Sequence, residues 1–135
     1  MFGIIICSHA DLCKGLKSSV EMIVGKQELL VALPFYEDTP LEEYSQQIKD
    51  EIDKMAPLQC VIVTDLANAT PYNSALSQIF HTNHVILSGA SLPMMLILIT
   101  KRLDDQVSLE EVCNEIVMNC KEFVSKTNSV EFFGE

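Results

Sequence analysis

Short apolar runs and amphipathic segments alternate four times along this 135-residue chain, at intervals of about 25–30 residues. The apolar runs cover residues 2–7, 28–33, 58–64 and 84–88, and they predict four strands. Strands that alternate with helices in this way are typical of right-handed βαβ units, which form one parallel sheet with helices on both faces. We therefore expect an α/β fold, and the length predicts a single domain over residues 1–135.

Helical periodicity in the intervening segments predicts the helices that pack on this sheet. Their apolar positions, in chain order, are Leu12, Leu16, Val20 and Ile23; Leu41, Tyr44, Ile48, Ile52 and Met55; Tyr72, Leu76, Ile79 and Phe80; and Leu109, Val112, Cys113, Ile116, Cys120 and Phe123. Residues 92–99 are apolar almost throughout, and we interpret them as a buried helix that Ser91 caps.

Side-chain caps are predicted at three further helix starts. The capping residues and their partners are Thr39 with Pro40 and Glu42, Thr70 with Pro71, and Ser108 with Glu111. A hydroxyl at the N-cap accepts a backbone N–H of the first turn, and a glutamate three residues later bonds back to the cap. Pro34 is predicted to end the second strand, because proline cannot donate a hydrogen bond to a sheet.

The charge of the chain is strongly negative. Lysine and arginine number 9 and aspartate and glutamate 19, which gives a formal net charge of −10. An acidic body repels phosphate backbones and anionic lipid headgroups, so we expect neither nucleic acid nor a membrane surface as a partner. The apolar stretch 92–99 is shorter than the ~20 residues that a membrane-spanning helix needs. No secretory signal pattern precedes the first strand, so we predict a cytoplasmic protein.

Titratable side chains follow two of the predicted strands. His9 comes after the first strand and Asp65 directly after the third. In a flavodoxin-like sheet of order 2-1-3-4 these strands are neighbours, and their carboxyl ends border the crevice where ligands bind. We expect Asp65 to hold the Nδ1–H of His9, which fixes the tautomer and leaves Nε2 as a nucleophile or base. The ordinary alternative is a loop histidine beside an aspartate that caps a turn.

The helix that starts at Thr70-Pro71 follows Asp65 into the same crevice. Its unpaired N–H groups, the positive end of its dipole and the Thr70 hydroxyl are typical of a phosphoryl-binding site. No P-loop lysine accompanies them, so nucleotide binding is not indicated. His81 and His84 have a metal-like spacing, but they flank a predicted turn away from the crevice. We interpret them as a surface turn, and we expect neither a metal nor a cofactor.

Three motifs in order resemble the mannose-type enzyme IIA component of the bacterial phosphotransferase system. They are Ile4-Ile5-Ile6-Cys7-Ser8-His9, followed by Leu12 and Gly15-Leu16; Val61-Ile62-Val63-Thr64-Asp65-Leu66, followed by Thr70-Pro71 and Asn73; and Gly89-Ala90-Ser91-Leu92-Pro93-Met94. The resemblance runs from the first strand to about residue 125, with the family's order and spacing. Asn68 and Ala69 depart from it, because the family has two glycines there.

The resemblance implies a role for each matching residue. His9 corresponds to the family's phosphorylated histidine, Asp65 to the aspartate that orients it, and Thr70 to the serine that meets the phosphoryl group. Amide donors of the following helix are expected to stabilise the transferred oxygens. The predicted phosphoryl-binding residues are Thr70, Pro71, Tyr72 and Asn73.

The resemblance also implies partners. Members of the family take a phosphoryl group from the phosphocarrier protein HPr and pass it to a histidine of enzyme IIB during coupled uptake and phosphorylation of a sugar. The membrane components IIC and IID are then indirect partners of this chain. Family members are typically homodimers, and in some a C-terminal strand is exchanged between subunits. Residues 130–133 are the candidate here for a short antiparallel strand of that kind.

Other classes of protein fit part of this pattern. The phosphoryl-donor subunit of a dihydroxyacetone kinase system is built alike, as are enzyme IIA-like domains of transcriptional regulators. A non-catalytic binding module would instead use His9 and Asp65 as a pH-sensitive docking point. Phosphate on a histidine separates a carrier from the module, and transfer to candidate enzyme IIB partners separates the sugar system from the kinase.

Overall fold

The computed structural model describes residues 1–130 and contains one parallel sheet. Its strands are β1 (Gly3–His9), β2 (Leu30–Phe35), β3 (Cys60–Thr64) and β4 (Val85–Ser88). They lie in the order β2-β1-β3-β4, with every pairing parallel. The predicted 2-1-3-4 order is therefore confirmed, and β1 and β3 are neighbours at the centre of the sheet.

Helices cover both faces of this sheet, as predicted. They are α1 (Leu12–Val24), α2 (Leu41–Met55), α3 (Thr70–Ile79), α4 (Leu92–Lys101) and α5 (Leu109–Asn119), and a short 3-10 helix follows at Cys120–Phe123. Helices α1, α4 and α5 pack on one face, against Ile4 and Ile6 of β1. Helices α2 and α3 pack on the other, against Ile5 and Cys7. Successive side chains of β1 thus enter opposite cores, which is why the strand is apolar without interruption.

Two of the strands extend beyond their predicted ends. Strand β1 runs through Ser8 to His9, because it pairs with β2 as far as Phe35. Pro34, predicted to stop the second strand, lies inside β2, opposite Ser8. The prediction was wrong because β2 is an edge strand, where a proline can leave its missing N–H on the unpaired side.

The structure confirms two of the predicted helix caps and corrects a third. The Ser91 hydroxyl accepts the N–H of Met94, and Ser108 forms the complete capping box with Glu111. The predicted capping box of Thr39 with Glu42 was wrong. Helix α2 starts after Pro40 with no side-chain cap. The Thr39 hydroxyl is not available to it, because Oγ1 accepts the N–H of Tyr36 at 3.1 Å.

The predicted apolar face was also wrong in part for four helices. In α2 the first helical residue, Leu41, is exposed, whereas the other four predicted residues are buried. In α1 the buried residues are Cys13 and Val20, whereas Leu12 and Ile23 are exposed. The Ser8 hydroxyl binds the N–H of Cys13 at 2.8 Å, which turns Cys13 rather than Leu12 towards the sheet.

Helix α3 approaches the sheet through the small side chains Ser74 and Ala75, and this turns Leu76 and Phe80 to solvent. Helix α5 ends at Asn119, and Cys120 is exposed in the 3-10 helix that follows. The predicted C-terminal strand at residues 130–133 lies outside the described residues except for its first position. Within residues 1–130, no helix is long and apolar enough to cross a membrane.

Arg102 closes the end of the sheet opposite the carboxyl ends of the strands. Its side chain is buried and donates to the carbonyl oxygens of Phe2, Glu28 and Leu29 and to Oε1 of Gln27. Burial lowers the pKa of its guanidinium. The residue therefore fastens the loop before β2 to the start of β1. It supplies donors to three carbonyl oxygens there, of which that of Leu29 also accepts the N–H of Ile4.

Candidate active site

His9 and Asp65 meet at the carboxyl ends of the two central strands. His9 is the last residue of β1, and Asp65 directly follows β3. The imidazole Nδ1 of His9 lies 2.8 Å from Oδ2 of Asp65. The backbone N–H of His9 donates to the same oxygen at 2.9 Å. The predicted contact is confirmed, with a second hydrogen bond that the sequence did not reveal.

This contact decides which nitrogen of His9 is free to react. An ionised carboxylate accepts hydrogen bonds and cannot donate them, so in the neutral imidazole the hydrogen lies on Nδ1 and Nε2 keeps its lone pair. The His9 side chain is 49% exposed, whereas that of Asp65 is 12% exposed. The other oxygen of Asp65, Oδ1, is buried and has no hydrogen-bond partner in the described part of the chain. Within residues 1–130, the carboxylate therefore accepts hydrogen bonds only from His9.

Ser8 fixes the backbone on which His9 stands. Its side chain is buried, and Oγ approaches the carbonyl oxygens of His9 and Ala10 at 3.2 and 3.3 Å while it accepts the N–H of Cys13. It thus caps the first turn of α1, whose own N-cap residue Asp11 makes no side-chain cap bond. Sequence reasoning placed Ser8 in the motif and missed this role. A hydroxyl five residues before a helical N–H is not a recognised capping spacing.

Ala10 adopts a left-handed conformation directly after His9. Its φ is 48°, and its N–H donates to the carbonyl oxygen of Phe35 at 2.8 Å. An alanine in this region costs about 1–2 kcal/mol relative to the usual right-handed conformation. The surrounding hydrogen bonds hold it there, so the chain turns sharply away from the sheet and leaves the imidazole at its edge.

A cavity of about 420 Å³ lies beside the imidazole. Its lining residues are His9, Ala10, Phe35, Tyr36 and Glu37. The Phe35 ring meets the His9 ring edge-on at 6.4 Å between centroids. The Tyr36 hydroxyl donates to Oδ1 of Asp11, and Nζ of Lys14 lies 6.0 Å from the centre of its ring.

The buried groups beneath this site are held neutral. Burial raises the pKa of the Cys7 thiol to about 12. Burial also raises the pKa of the Tyr44 phenol, whose hydroxyl donates to the carbonyl oxygen of Leu33 at 2.6 Å. Neither group therefore supplies a charge or a nucleophile below the imidazole at neutral pH.

The start of α3 differs from the predicted arrangement. Ala69 is the N-cap residue, and Thr70 is the first residue of the helix and not its side-chain cap. The reason is that Ala69 itself has the extended conformation of an N-cap. Pro71 has no N–H, and the N–H of Asn73 donates to the carbonyl oxygen of Ala69. The N–H groups of Thr70 and Tyr72 make no hydrogen bond within residues 1–130.

The side chains of this segment point partly away from His9. Thr70 and Asn73 line a groove of about 260 Å³ together with Leu41, Ser45, Ser74 and Ser77. Within the described residues, no hydrogen bond joins His9 to residues 70–73. The structure thus brings His9 and Asp65 into contact and leaves the predicted phosphoryl-binding residues at the start of the next helix.

The histidines with a metal-like spacing belong to a turn, as predicted. His84 Nδ1 accepts the N–H of Cys60 at 3.0 Å, and the ring of His81 packs against Phe80. Within residues 1–130, no three His, Cys, Asp or Glu side chains are grouped to hold a metal ion.

Comparison with known proteins decides the family. A family model described as EIIA-man, PTS system fructose IIA component, matches residues 3–117. The chain belongs to the EIIA-man family of phosphotransferase system (PTS) components. Among its relatives, the fructose-specific EIIA component of the Bacillus subtilis (strain 168) PTS is 30% identical over 121 residues, which is 86% of this chain and 80% of that protein.

Solved structures of EIIA proteins share this fold. The PTS IIA protein associated with the fucose utilization operon of Streptococcus pneumoniae has a TM-score of 0.79 at 26% identity, over 92% of this chain and 91% of that one. The mannose/sorbose-specific IIA subunit from Enterococcus faecalis has a TM-score of 0.80 at 16% identity, over 94% and 95%. The predicted resemblance and the flavodoxin-like fold are both confirmed.

Asn68 and Ala69 stand where the mannose-type EIIA pattern has two glycines. Asn68 has a φ of 66°, which asparagine tolerates better than most residues. Ala69 is extended, with φ −97° and ψ 178°, a conformation open to any residue. This EIIA chain therefore needs a left-handed residue at only one of the two positions. The carbonyl oxygen of Asn68 also accepts from Nδ2 of Asn73 at 3.4 Å.

Proposed function

We propose that this EIIA chain carries a phosphoryl group on Nε2 of His9. The observation that supports this most is the double hydrogen bond from the imidazole Nδ1 and the backbone N–H of His9 to one oxygen of Asp65. It fixes the ring in one orientation and one tautomer, which is what a nucleophilic imidazole needs. The exposure of the ring suits a carrier that must meet large protein partners.

The transfer balances without a further reactant. The lone pair on Nε2 attacks the phosphorus of a phosphohistidine on the donor, and an N–P bond forms as the donor's N–P bond breaks. The electron pair of the broken bond returns to the donor imidazole. The proton on Nδ1 stays in the hydrogen bond to Asp65, whose negative charge stabilises the positive charge that develops on the ring. The reverse transfer passes the group on by the same steps.

The start of α3 supplies donors for the phosphoryl oxygens in this proposal. Thr70 and Tyr72 offer N–H groups that have no partner among residues 1–130, at the positive end of the helix, and Thr70 adds its hydroxyl. Pro71 fixes the first turn, and Asn73 ties the turn to the preceding loop through Asn68. Because the transition state is loose, stabilisation of its equatorial oxygens matters more than covalent chemistry.

The proposed partners are those of the family. HPr is the donor, a histidine of enzyme IIB is the acceptor, and the membrane components IIC and IID act downstream. We propose further that the chain works as a homodimer in the cytoplasm. The names of the relatives cover fructose, mannose/sorbose and a fucose utilization operon, so we assign the choice of sugar to the membrane components. Nothing in these comparisons supports the dihydroxyacetone kinase alternative.

A labelling experiment tests the carrier role. The protein is incubated with enzyme I, HPr and phosphoenolpyruvate, and its intact mass is measured before and after acid treatment. Wild-type protein should gain one acid-labile phosphoryl group, and His9→Gln should gain none. His81→Gln, which removes an exposed histidine elsewhere, should be labelled like wild type. Stoichiometric phosphate on His9→Gln would contradict the proposal, and an unlabelled wild type would favour the binding module.

A further inference from the structure

A basic groove lies between α1 and the edge strand β2, beside the His9 site. It has a volume of about 510 Å³, within the range of small-molecule sites. Its lining residues are Lys14, Lys17, Ser18, Glu21, Lys26, Val31 and Ala32. Four of these recur on α1 at three- and four-residue spacing, so they share one face of the helix. Ala32, whose side chain faces α1, forms the apolar floor, whereas Val31 lines the groove at the edge of the sheet and turns its side chain to the other core.

The charge of this groove is opposite to that of the protein. The chain as a whole carries −10, yet three of its lysines surround one concavity. Two lysines elsewhere are paired with acids, Lys49 with Asp53 and Lys54 with Glu51. Within residues 1–130, no ion pair joins any of the three groove lysines to a carboxylate.

The one acidic residue of the groove is already engaged. Glu21 Oε2 accepts the backbone N–H of Gln27 at 3.0 Å, in the loop that leads to β2. The lysine charges are therefore only partly neutralised, and like charges on one helix face oppose each other. A ligand that brings two negative charges would relieve this repulsion and would bind to ammonium groups, with the Ser18 hydroxyl as a further donor.

We propose that this groove binds a small phosphomonoester dianion. Three ammonium donors and a hydroxyl match a tetrahedral dianion, and the apolar floor accommodates the carbon atoms of the ester. The groove shares no lining residue with the cavity at His9, so it is a second site.

Lys14 connects this site to the first. It lines the groove, and its ammonium also lies over the ring of Tyr36, a wall of the His9 cavity. An anion that draws Lys14 into the groove would weaken its contact with Tyr36. Binding of an anion in the groove should therefore change the surroundings of Tyr36 in the His9 cavity. Any effect of this binding on phosphoryl transfer rests on the proposed carrier function.

The test is a titration of the ¹⁵N-labelled protein followed by NMR. The probes are inorganic phosphate and glucose 6-phosphate, with glucose as the neutral control, at constant ionic strength. Both phosphates should give saturable shifts at residues 14–21, 31 and 32, with a smaller shift at Tyr36, and glucose should give none. Lys17→Gln/Lys26→Gln should weaken binding about tenfold, because two of three ammonium groups are lost. Lys101→Gln/Lys121→Gln, with the same change in net charge, should weaken it less than about twofold.

Three results would overturn the proposal. The first is the absence of saturation with both phosphates. The lysines would then serve only to prevent the free edge of β2 from pairing with another chain. The second is an equal loss of affinity in the two double variants, which would indicate diffuse attraction. The third is a set of shifts confined to the start of α3. Labelling of His9 by phospho-HPr is measured separately, so a groove without binding and a carrier without phosphate are distinguishable failures.

Discussion

The substitution Asp65→Asn tests the role assigned to the carboxylate. Asparagine has nearly the same shape and keeps an oxygen that can accept the Nδ1–H and the backbone N–H of His9. The variant therefore removes the negative charge and retains the hydrogen bonds. If positioning alone mattered, the rate of phosphoryl transfer would hardly change. If the charge stabilises the imidazole as it becomes positive, the rate must fall.

The size of the effect follows from the geometry. The Nδ1–Oδ2 distance of 2.8 Å is that of a charge-assisted hydrogen bond, which contributes about 1.5–3 kcal/mol. Asparagine keeps a neutral hydrogen bond of about 0.5–1.5 kcal/mol, so the variant loses only the difference, about 1–1.5 kcal/mol for a His9 side chain that is 49% exposed to screening solvent. At about 1.4 kcal/mol per tenfold, transfer from phospho-HPr should slow by roughly 5- to 12-fold.

Rapid-quench labelling measures this rate directly. Initial rates of phosphate incorporation from phospho-HPr are compared for wild type, Asp65→Asn and Asp105→Asn. Asp105 is almost fully exposed and far along the chain, so its variant controls for net charge and should behave like wild type. Thermal unfolding checks that each variant is folded. A rate for Asp65→Asn within twofold of wild type would refute the electrostatic role.

Three further predictions concern stability. Arg102→Met should lower the free energy of unfolding in urea by about 3 kcal/mol, because it removes the Arg102 donors from the carbonyl oxygens of Phe2 and Glu28. Lys101→Met next to it should change that free energy by less than about 0.5 kcal/mol, and an equal effect of both would contradict this. Burial lowers the pKa of the His84 imidazole below the ordinary value of about 6.5, so the folded state resists its protonation. The stability that neutral His84 contributes should therefore be lost as the pH falls through about 6.5. His84→Asn keeps an acceptor for the N–H of Cys60. In this variant the free energy of unfolding should fall less between about pH 7.5 and about pH 5.5 than in wild type, and the same fall in both would contradict the prediction. Ala10→Gly should change the thermal midpoint of unfolding little, because relief of left-handed strain offsets the added entropy of the unfolded chain. Ala10→Val should destabilise the protein by about 1–2 kcal/mol. Equal midpoints for the two variants would show that φ at this position carries no strain.

The strand order and the contact between His9 and Asp65 could be predicted from the sequence for the same physical reason. Uninterrupted apolar runs between amphipathic helices allow few arrangements other than a parallel sheet with both faces covered. In such a sheet the carboxyl ends of adjacent strands share one edge, so residues at the ends of β1 and β3 come together. The apolar pattern predicts the parallel sheet, and the flavodoxin-like order 2-1-3-4 makes β1 and β3 neighbours in it.

The details that failed depend on contacts that no periodicity records. Thr39 has the right position for a cap, but its hydroxyl is used by the N–H of Tyr36. Leu76 and Phe80 have helical spacing, but α3 approaches the sheet through Ser74 and Ala75, whose small size permits closer packing. Pro34 predicts the end of a strand, but a proline is tolerated within β2 because β2 lies at the edge of the sheet. In each case a tertiary partner outweighed a local preference.

The central claim is that phosphate resides on Nε2 of His9 because Asp65 holds Nδ1. The most direct measurement is NMR of the protein with ¹⁵N-labelled histidine after phosphorylation by enzyme I, HPr and phosphoenolpyruvate, in which the coupling to phosphorus identifies the bonded nitrogen. We predict coupling at Nε2 of His9 and an Nδ1 that keeps its proton. Coupling at Nδ1, or phosphate on His81 or His84 in place of His9, would contradict the claim.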